Sequence, residues 1–127
     1  MREIEFRGKA LSGKWVYGGY IQSEEVICPK NASIKVFVYP KTVDQYTGLK
    51  DKNGVKIFEG DKLYHPSVEQ YCPCQDDEHF AVVRYKNSSA CYYGDLRTTL
   101  YTISACVFNE WEVIGNIHDN GGLINAD

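Results

Sequence analysis

The sequence predicts a mainly β fold: a small antiparallel β-barrel, SH3-like or a pseudobarrel, with little helix. Three observations favour it. Short segments alternate apolar and polar residues, turn residues separate these segments, and apolar residues rarely recur at helical spacing. At 127 residues the chain can bury one modest core, so we expect a single domain over residues 1–127.

The first two predicted strands form a hairpin. In EIEFR the apolar residues Ile4 and Phe6 share one face and charged residues share the other, which is the period-two pattern of a half-buried strand. WVYGGYI returns after the turn residues SGK, so residues 2–21 are predicted to be a hairpin. The adjacent glycines Gly18 and Gly19 predict a bulge or a sharp bend.

Further strands follow along the chain. SIKVFVY alternates until Pro40, which cannot donate to a strand ladder and should end it. FAVVRY, LYTISACVF and WEVIGNI are rich in β-branched and aromatic residues and are also predicted strands. Short helical turns are expected only within Gln45–Leu49 and Phe108–Trp111. Residues 65–79 have no periodicity and predict a surface loop, and residues 119–127 predict a frayed tail.

The segment TVDQYTGLKDKNGVKIFEGDKLYH carries the strongest turn signals. Asn53-Gly54 is typical of a tight turn, and Asp51 can bond nearby backbone amides to fix it. Val55, Ile57 and Leu63 are then expected in the core. A functional alternative is a ligand-binding patch on these loops. Its candidate residues are Gln45, Tyr46, Asp51, Lys52 and Asp61.

Three motifs, TVDQYTGLKDKNGVKIFEGD, the opening MREIEFRGK with WVYGGYI, and the closing WEVIGNIHDN, occur in the same order as in the YopX family. The chain therefore resembles the YopX family of phage and prophage proteins. The resemblance implies a mostly β, small-barrel protein encoded on mobile bacterial elements, and it implies no particular chemistry. Residues 65–79 and the sequence DNGGLI depart from the family's usual pattern.

Composition limits the remaining functions. The net charge of −3 without a clustered basic stripe disfavours binding to duplex nucleic acid. The charged N-terminus and the absence of a long apolar run predict a soluble cytoplasmic protein with no membrane segment. The family resemblance implies that the cytoplasm is that of a bacterial host cell. Five cysteines, an odd number, suit a reducing compartment. No phosphate cradle, dinucleotide fingerprint or HExxH motif occurs, so we expect no enzyme activity and no cofactor.

One set of residues has the chemistry of a zinc site. His65, Cys72, Cys74 and His79 lie within fifteen positions of one another, and zinc prefers thiolate and imidazole ligands. Cys72 and Cys74 are one residue closer than in the usual CxxC knuckle, which weakens the match. The sequence therefore predicts no metal, with a zinc-stabilised adaptor as an alternative.

Ten tyrosines are too many for one core of this size. Since tyrosine is enriched at protein interfaces, we expect a homo-oligomer that also binds a host or phage macromolecule. A small barrel that binds single-stranded nucleic acid is the alternative, disfavoured by the net charge. Its stacking platform would be Phe37, Tyr39, Tyr92 and Tyr93, and its basic face would be Lys35, Lys41, Lys50, Lys52 and Lys56.

Overall fold

The protein, described from a computed structural model, is mainly β, which confirms the predicted class. The structure describes residues 4–71, 79–96 and 102–120. The chain divides into two compact units, residues 1–48 and 49–127, and each is described by itself. The prediction of a single domain stays a prediction.

The first unit is built on an antiparallel sheet. Its strands are β1 (Phe6–Lys9), β2 (Trp15–Ile21), β3 (Val26–Pro29), β4 (Val36–Phe37) and β5 (Asp44–Lys50), and β5 continues across the unit boundary. The strand order is β4-β3-β2-β1-β5. The predicted N-terminal hairpin is confirmed, because β1 pairs with β2 in the register Arg7↔Tyr17. Pro40 ends the extended segment as predicted and starts a 3-10 helix, Pro40–Thr42.

The apolar side of this sheet depends on a close approach at Gly8. A Cβ at that position would lie 3.1 Å from Ile27 Cδ1 and 3.2 Å from both Val38 Cβ and Val43 Cγ2. Ile27 and Val38 are buried. The absence of a side chain at Gly8 therefore lets these β-branched residues fill the interior of the first unit.

The second unit contains another antiparallel sheet. Its strand order is β10-β9-β8-β7-β11. The elements in chain order are β6 (Lys56–Phe58), β7 (Asp61–Tyr64), α1 (Val68–Tyr71), β8 (Ala81–Lys86), β9 (Cys91–Asp95), β10 (Thr102–Ser104), a 3-10 helix (Ala105–Glu110), β11 (Glu112–Asn116) and α2 (Ile117–Asn120). None of the helices in the described residues has the length and apolar character needed to cross a bilayer.

A single apolar cluster fills the interior of the second unit. Its buried members come from strands, from α1 and from the 3-10 helix: Ile57, Leu63, Val68, Ala81, Val83, Leu96, Phe108 and Trp111. Ile57 and Leu63 are completely buried, as predicted, but Val55 is 48% exposed and does not belong to the core. Val55 directly follows the Asn53-Gly54 turn, where the chain is still at the surface.

Two predicted secondary-structure elements differ from the structure. Gln45–Leu49, where a helical turn was allowed, lies in β5, because Asp44 and Gln45 pair with Arg7 and Phe6 of β1. The strand predicted over residues 100–108 is limited, within the described residues, to β10. It ends at Ser104, whose hydroxyl accepts a hydrogen bond from the Cys106 N–H and begins the 3-10 helix.

Closure into a barrel is not confirmed. Among the described residues the two sheets remain open, and an isolated bridge, Ala10↔Val38, joins the chain after β4 to the end of β1. The helix α1 begins within the segment predicted as a loop, and Val68 lies in the core. Residues 72–78 of that segment and residues 121–127 of the predicted tail lie outside the described residues.

Candidate functional site

Asp51 connects two distant parts of the second unit. Its Oδ1 accepts hydrogen bonds from the N–H groups of Asn53 at 2.8 Å and Val55 at 2.9 Å, which fixes the predicted turn. Its Oδ2 accepts a third bond from the N–H of Val113 in β11, also at 2.9 Å. The residue is only 5% exposed. Its carboxylate is therefore directed at backbone amides of its own unit.

These contacts set the acidity of Asp51. Desolvation by burial is the largest single influence and raises its pKa. The bonds from the three backbone amides and the charge of Lys52 lower the pKa and together outweigh burial, so it lies below the ordinary value. Asp51 is consequently held as a carboxylate, which is the form that accepts all three bonds.

The other residues of the predicted patch are distributed over both units. In the second unit, Asp61 is 1% exposed and its Oδ2 accepts the Phe58 N–H at 2.8 Å. Lys52 is exposed, and its Nζ lies 4.0 Å from Glu112 Oε1. In the first unit, Tyr46 is buried and Gln45 is half-buried. The two aspartates thus have structural contacts, and a ligand-binding role for this set stays a prediction.

The zinc candidates are only partly described. Nδ1 of His65 lies 2.8 Å from Ser67 Oγ and accepts the Ser67 N–H at 3.1 Å, and the imidazole ring centre lies 5.3 Å from that of Trp111. His79 is half-buried. Cys72 and Cys74 lie outside the described residues, and within those residues no three potential ligands form a cluster. The zinc alternative therefore stays untested.

A structural zinc site would retain its metal through purification. We expect protein purified without added zinc to contain less than about one tenth of an equivalent of zinc. The physical reason is that Nδ1 of His65 already accepts a hydrogen bond from the Ser67 N–H, so the lone pair of this nitrogen is not free to bind a metal. Elemental analysis of the purified protein measures the content. One equivalent that is lost in the Cys72→Ser and Cys74→Ser double variant would contradict this expectation.

An exposed apolar surface lies along the outer strand of the first unit. We call this surface the β4 edge and define it by Ile34, Lys35, Phe37 and Tyr39. Ile34 is 59% exposed, Phe37 63% and Tyr39 49%. Val36, by contrast, is half-buried and Val38 is buried. The predicted alternation is therefore present from Val36 to Tyr39 and places the aromatic residues outward, whereas Ile34, which was predicted on the face of Val36 and Val38, is exposed.

The backbone of the β4 edge is also directed outward. β4 pairs with β3 in the register Val26↔Phe37, and the Val38 N–H donates to the Glu25 carbonyl at 3.0 Å. Because hydrogen-bonded and non-hydrogen-bonded pairs alternate in an antiparallel ladder, the N–H and C=O of Phe37 point away from β3. The next residues are already joined to the end of β1, through the Ala10↔Val38 bridge and the Tyr39 N–H, which donates to the Lys9 carbonyl at 2.8 Å. The start of β4, up to Phe37, is the part of this edge that can accept another strand.

The residues proposed for nucleic-acid binding carry less free charge than the sequence indicated. Lys35 lies 2.9 Å from Glu24 in the first unit, and Lys52 is near Glu112 in the second. The hydrogen bond that Lys35 donates to Glu24, together with the negative charge of Glu24, raises the pKa of Lys35. Lys41 and Lys50 are exposed and Lys56 is half-buried. Because acidic neighbours compensate two of the five lysines, the structure does not favour this alternative.

The sequence analysis overlooked a buried ion pair in the first unit. Arg7 Nε donates to Asp44 Oδ2 at 3.1 Å, both side chains are nearly inaccessible, and the guanidinium lies 4.9 Å from the ring centre of Trp15. The alternation of charge in EIEFR had placed Arg7 on the solvent face. The sequence contains no signal that Asp44, 37 residues later, would compensate the positive charge of the buried Arg7.

A cavity of about 460 Å³ lies at the β9–β10 side of the second sheet. Its lining comes from the ends of β8 and β9, the turn between them, and β10. The lining residues are Lys86, Ser89, Cys91, Tyr92, Tyr93, Thr102, Ile103, Ser104 and Ala105. Of these residues, the sequence analysis proposed only the two tyrosines as candidate binding residues. The polar residues were not proposed, since only strand pairing brings them together.

Comparison with known proteins identifies a family and a fold. The family model described as YopX protein matches residues 2–125. The crystal structure of protein EF1440 from Enterococcus faecalis is similar with a TM-score of 0.50 and 19% sequence identity, covering 98% of this chain and 100% of that chain. At this identity the likeness concerns the fold alone. No curated protein matches the sequence.

Proposed function

The chain belongs to the YopX family, and from this membership we propose that it is a non-enzymatic accessory protein of phages and prophages. It acts in the bacterial cytoplasm by self-association and by binding a host or phage macromolecule. The phage setting is supported by the resemblance of its three motifs to those of the family. Binding without catalysis is supported by Asp51 and Asp61, whose carboxylates are engaged by backbone amides.

The β4 edge carries the proposal. Phe37 presents an aromatic ring that is 63% exposed, and the backbone of the same residue points away from β3. Addition of a strand at such an edge combines main-chain hydrogen bonds with burial of alternate side chains. Since β4 has only two residues, the ladder contributes few bonds, and the apolar side chains have to supply most of the affinity.

A second copy of this chain is the occupant that we propose for the edge. Antiparallel pairing of two β4 strands about a two-fold axis brings the same apolar residues together from both copies. Lys35 would normally oppose this contact by like-charge repulsion. Its ammonium is instead bonded to Glu24 within the same unit at 2.9 Å, so each copy compensates its own charge.

We expect Phe37→Asp to weaken self-association by at least about tenfold. Loss of a central aromatic anchor costs an interface about 2 kcal/mol or more, and the new carboxylate would face its symmetry mate. Sedimentation equilibrium over a range of protein concentrations measures the dissociation constant for the two proteins. A strictly monomeric unmodified protein would contradict the proposal.

Ile114→Asp is the matched control. Ile114 is 49% exposed and lies in β11, the outer strand of the second sheet, so the change also adds a charge to an exposed edge. We expect its dissociation constant to equal that of the unmodified protein. Dissociation caused by Ile114→Asp but not by Phe37→Asp would place the interface elsewhere.

The macromolecular partner requires a separate experiment. Tagged protein is recovered from cells that carry the phage or prophage, and the bound macromolecules are identified by mass spectrometry and sequencing. A partner that binds purified protein directly at micromolar concentration supports the second half of the proposal. Recovery of the chain alone under these conditions would refute it, without bearing on self-association.

A further inference from the structure

The cavity on the second sheet has the size of a small-molecule site. Its volume of about 460 Å³ lies within the range of about 300–1,000 Å³ that is typical of ligand pockets. Its walls combine the apolar residues Ile103 and Ala105 with two tyrosines and several hydroxyl groups. A few polar groups converging on an otherwise apolar surface are the usual composition of such sites.

The electrostatics of the cavity favour an anion. Among the lining residues that the structure describes, Lys86 is the one charged group and none is a carboxylate. Lys86 is exposed and forms no ion pair with any residue that the structure describes. The neighbouring cation, Arg84, is already bonded to Asp95 through Nε at 2.8 Å. Lys86 is therefore the cation available to a ligand here.

Strand pairing places the side chains of Lys86, Cys91, Tyr93 and Ser104 on one face of the sheet. Lys86 lies directly opposite Cys91, and Tyr93 lies directly opposite Ser104. Since side chains at i and i+2 share a face, Cys91 and Tyr93 are on the same side of β9. Lys86 and Tyr93 are then diagonal neighbours, a separation of about 7–8 Å between backbones that long side chains can bridge.

Packing on the other face of the sheet holds the strands beneath the cavity in place. Tyr92, which leaves β9 on the other face, makes an edge-to-face contact with Tyr85 at a centroid distance of 5.0 Å. Gly94 allows Ile103 to approach closely, because a Cβ there would lie 2.9 Å from Ile103 Cβ. These contacts fix the backbone of β8, β9 and β10 before a ligand binds, which lowers the entropic cost of binding.

The geometry points to a binding site for a small planar aromatic ring that carries an anionic group, a phosphate or a carboxylate. The ring is accommodated by Tyr93, and the anion by the Lys86 ammonium with the Ser89 and Ser104 hydroxyls. This site is in the second unit and is independent of the β4 edge. Its existence does not depend on the proposed self-association.

Binding is tested by NMR titration of ¹⁵N-labelled protein with four probes up to about 5 mM, a limit that includes weak millimolar binding. Adenosine 5′-monophosphate supplies a ring with a phosphate, and indole-3-acetate a ring with a carboxylate. Adenosine lacks the charge, and inorganic phosphate lacks the ring. We expect saturable shifts at Tyr93 and Ser104 with at least one of the first two probes, and at least tenfold weaker binding of both latter probes.

Lys86→Met tests the role of the cation. This substitution keeps the length of the side chain and removes its charge, so we expect affinity for the binding probe to fall by at least about tenfold, as for loss of a charge-assisted hydrogen bond. Lys14→Met is the matched control, because Lys14 is an exposed lysine of the first unit. It should leave the affinity unchanged.

The thiol of Cys91 provides a readout in the unmodified protein. Cys91 is exposed and lines the cavity, whereas Cys28 is half-buried in the first unit. We expect a saturating probe to slow alkylation of Cys91 and to leave that of Cys28 unchanged, as measured by peptide mass spectrometry. The inference is overturned if neither aromatic anion binds, if adenosine or inorganic phosphate binds equally well, or if Lys86→Met has no effect on the affinity.

Discussion

Replacement of Gly18 by alanine is expected to destabilise the first unit by about 3 kcal/mol or more, a loss typical of severe overpacking. A Cβ at Gly18 would lie 2.1 Å from the carbonyl oxygen of Cys28 and 2.8 Å from its carbonyl carbon. Both atoms belong to the backbone of the paired strand β3, so no rotamer change relieves the clash. Urea denaturation monitored by ¹⁹F NMR of fluorotryptophan measures the effect, because Trp15 lies in the same strand.

Gly19→Ala is the control, and it differs by a single position. No heavy atom lies within 4 Å of a Cβ at Gly19. Its free energy of unfolding should change by less than about 1 kcal/mol, the usual range for alanine at a compatible glycine. Equal destabilisation by the two substitutions would show that backbone freedom, and not the approach of β3, is what requires the glycines.

Replacement of Asp51 by alanine is expected to destabilise the second unit by about 3 kcal/mol or more. Three backbone N–H groups would lose a charged acceptor, and hydrogen bonds to charged groups contribute about 1.5–3 kcal/mol each. The fluorotryptophan signal of Trp111 reports this change, because Trp111 belongs to the core of the second unit. Glu110→Ala, at an exposed carboxylate, should change stability by less than about 0.5 kcal/mol.

The contribution of Asp51 should depend on pH in a defined direction. Its pKa in the folded protein is lowered, so its stabilisation is fully present above the unfolded value of about 3.9 and is lost as the pH falls through the folded pKa. Asp51→Asn should therefore differ most from the unmodified protein at neutral pH and progressively less below about pH 4. A difference that stays constant into acid would contradict the role of the charged form.

Local chemistry allowed most of the strands and turns to be predicted. The pairing of β1 with β2, the Asn53-Gly54 turn and the termination at Pro40 are all present in the structure. The faces predicted for EIEFR are reversed, because Ile4 is 68% exposed whereas Glu5 and Arg7 are buried. The predicted bond from Asp51 to nearby amides is confirmed at Asn53 and Val55. Its third bond, to Val113, joins residues 62 positions apart. No local pattern contains that information.

The errors in the predicted elements also come from long-range pairing, which no local pattern contains. Gln45–Leu49 is extended because Asp44 and Gln45 pair with β1, and tertiary pairing overrides a weak local preference. The predicted bulge at Gly18-Gly19 is absent, since Gly18 and Gly19 pair with Pro29 and Cys28 without a shift in register. The cavity residues Lys86 and Ser104 become neighbours only through β9, which lies between their strands.

The double attachment of Asp51 also has a consequence for protein synthesis. A ribosome releases the turn at Asn53-Gly54 well before it releases Val113, so the nascent chain can form the short loop while β11 is still untranslated or in the exit tunnel. One oxygen of the carboxylate must remain hydrated during that interval. When β11 emerges it displaces this water, and this step couples the release of β11 to consolidation of the second unit.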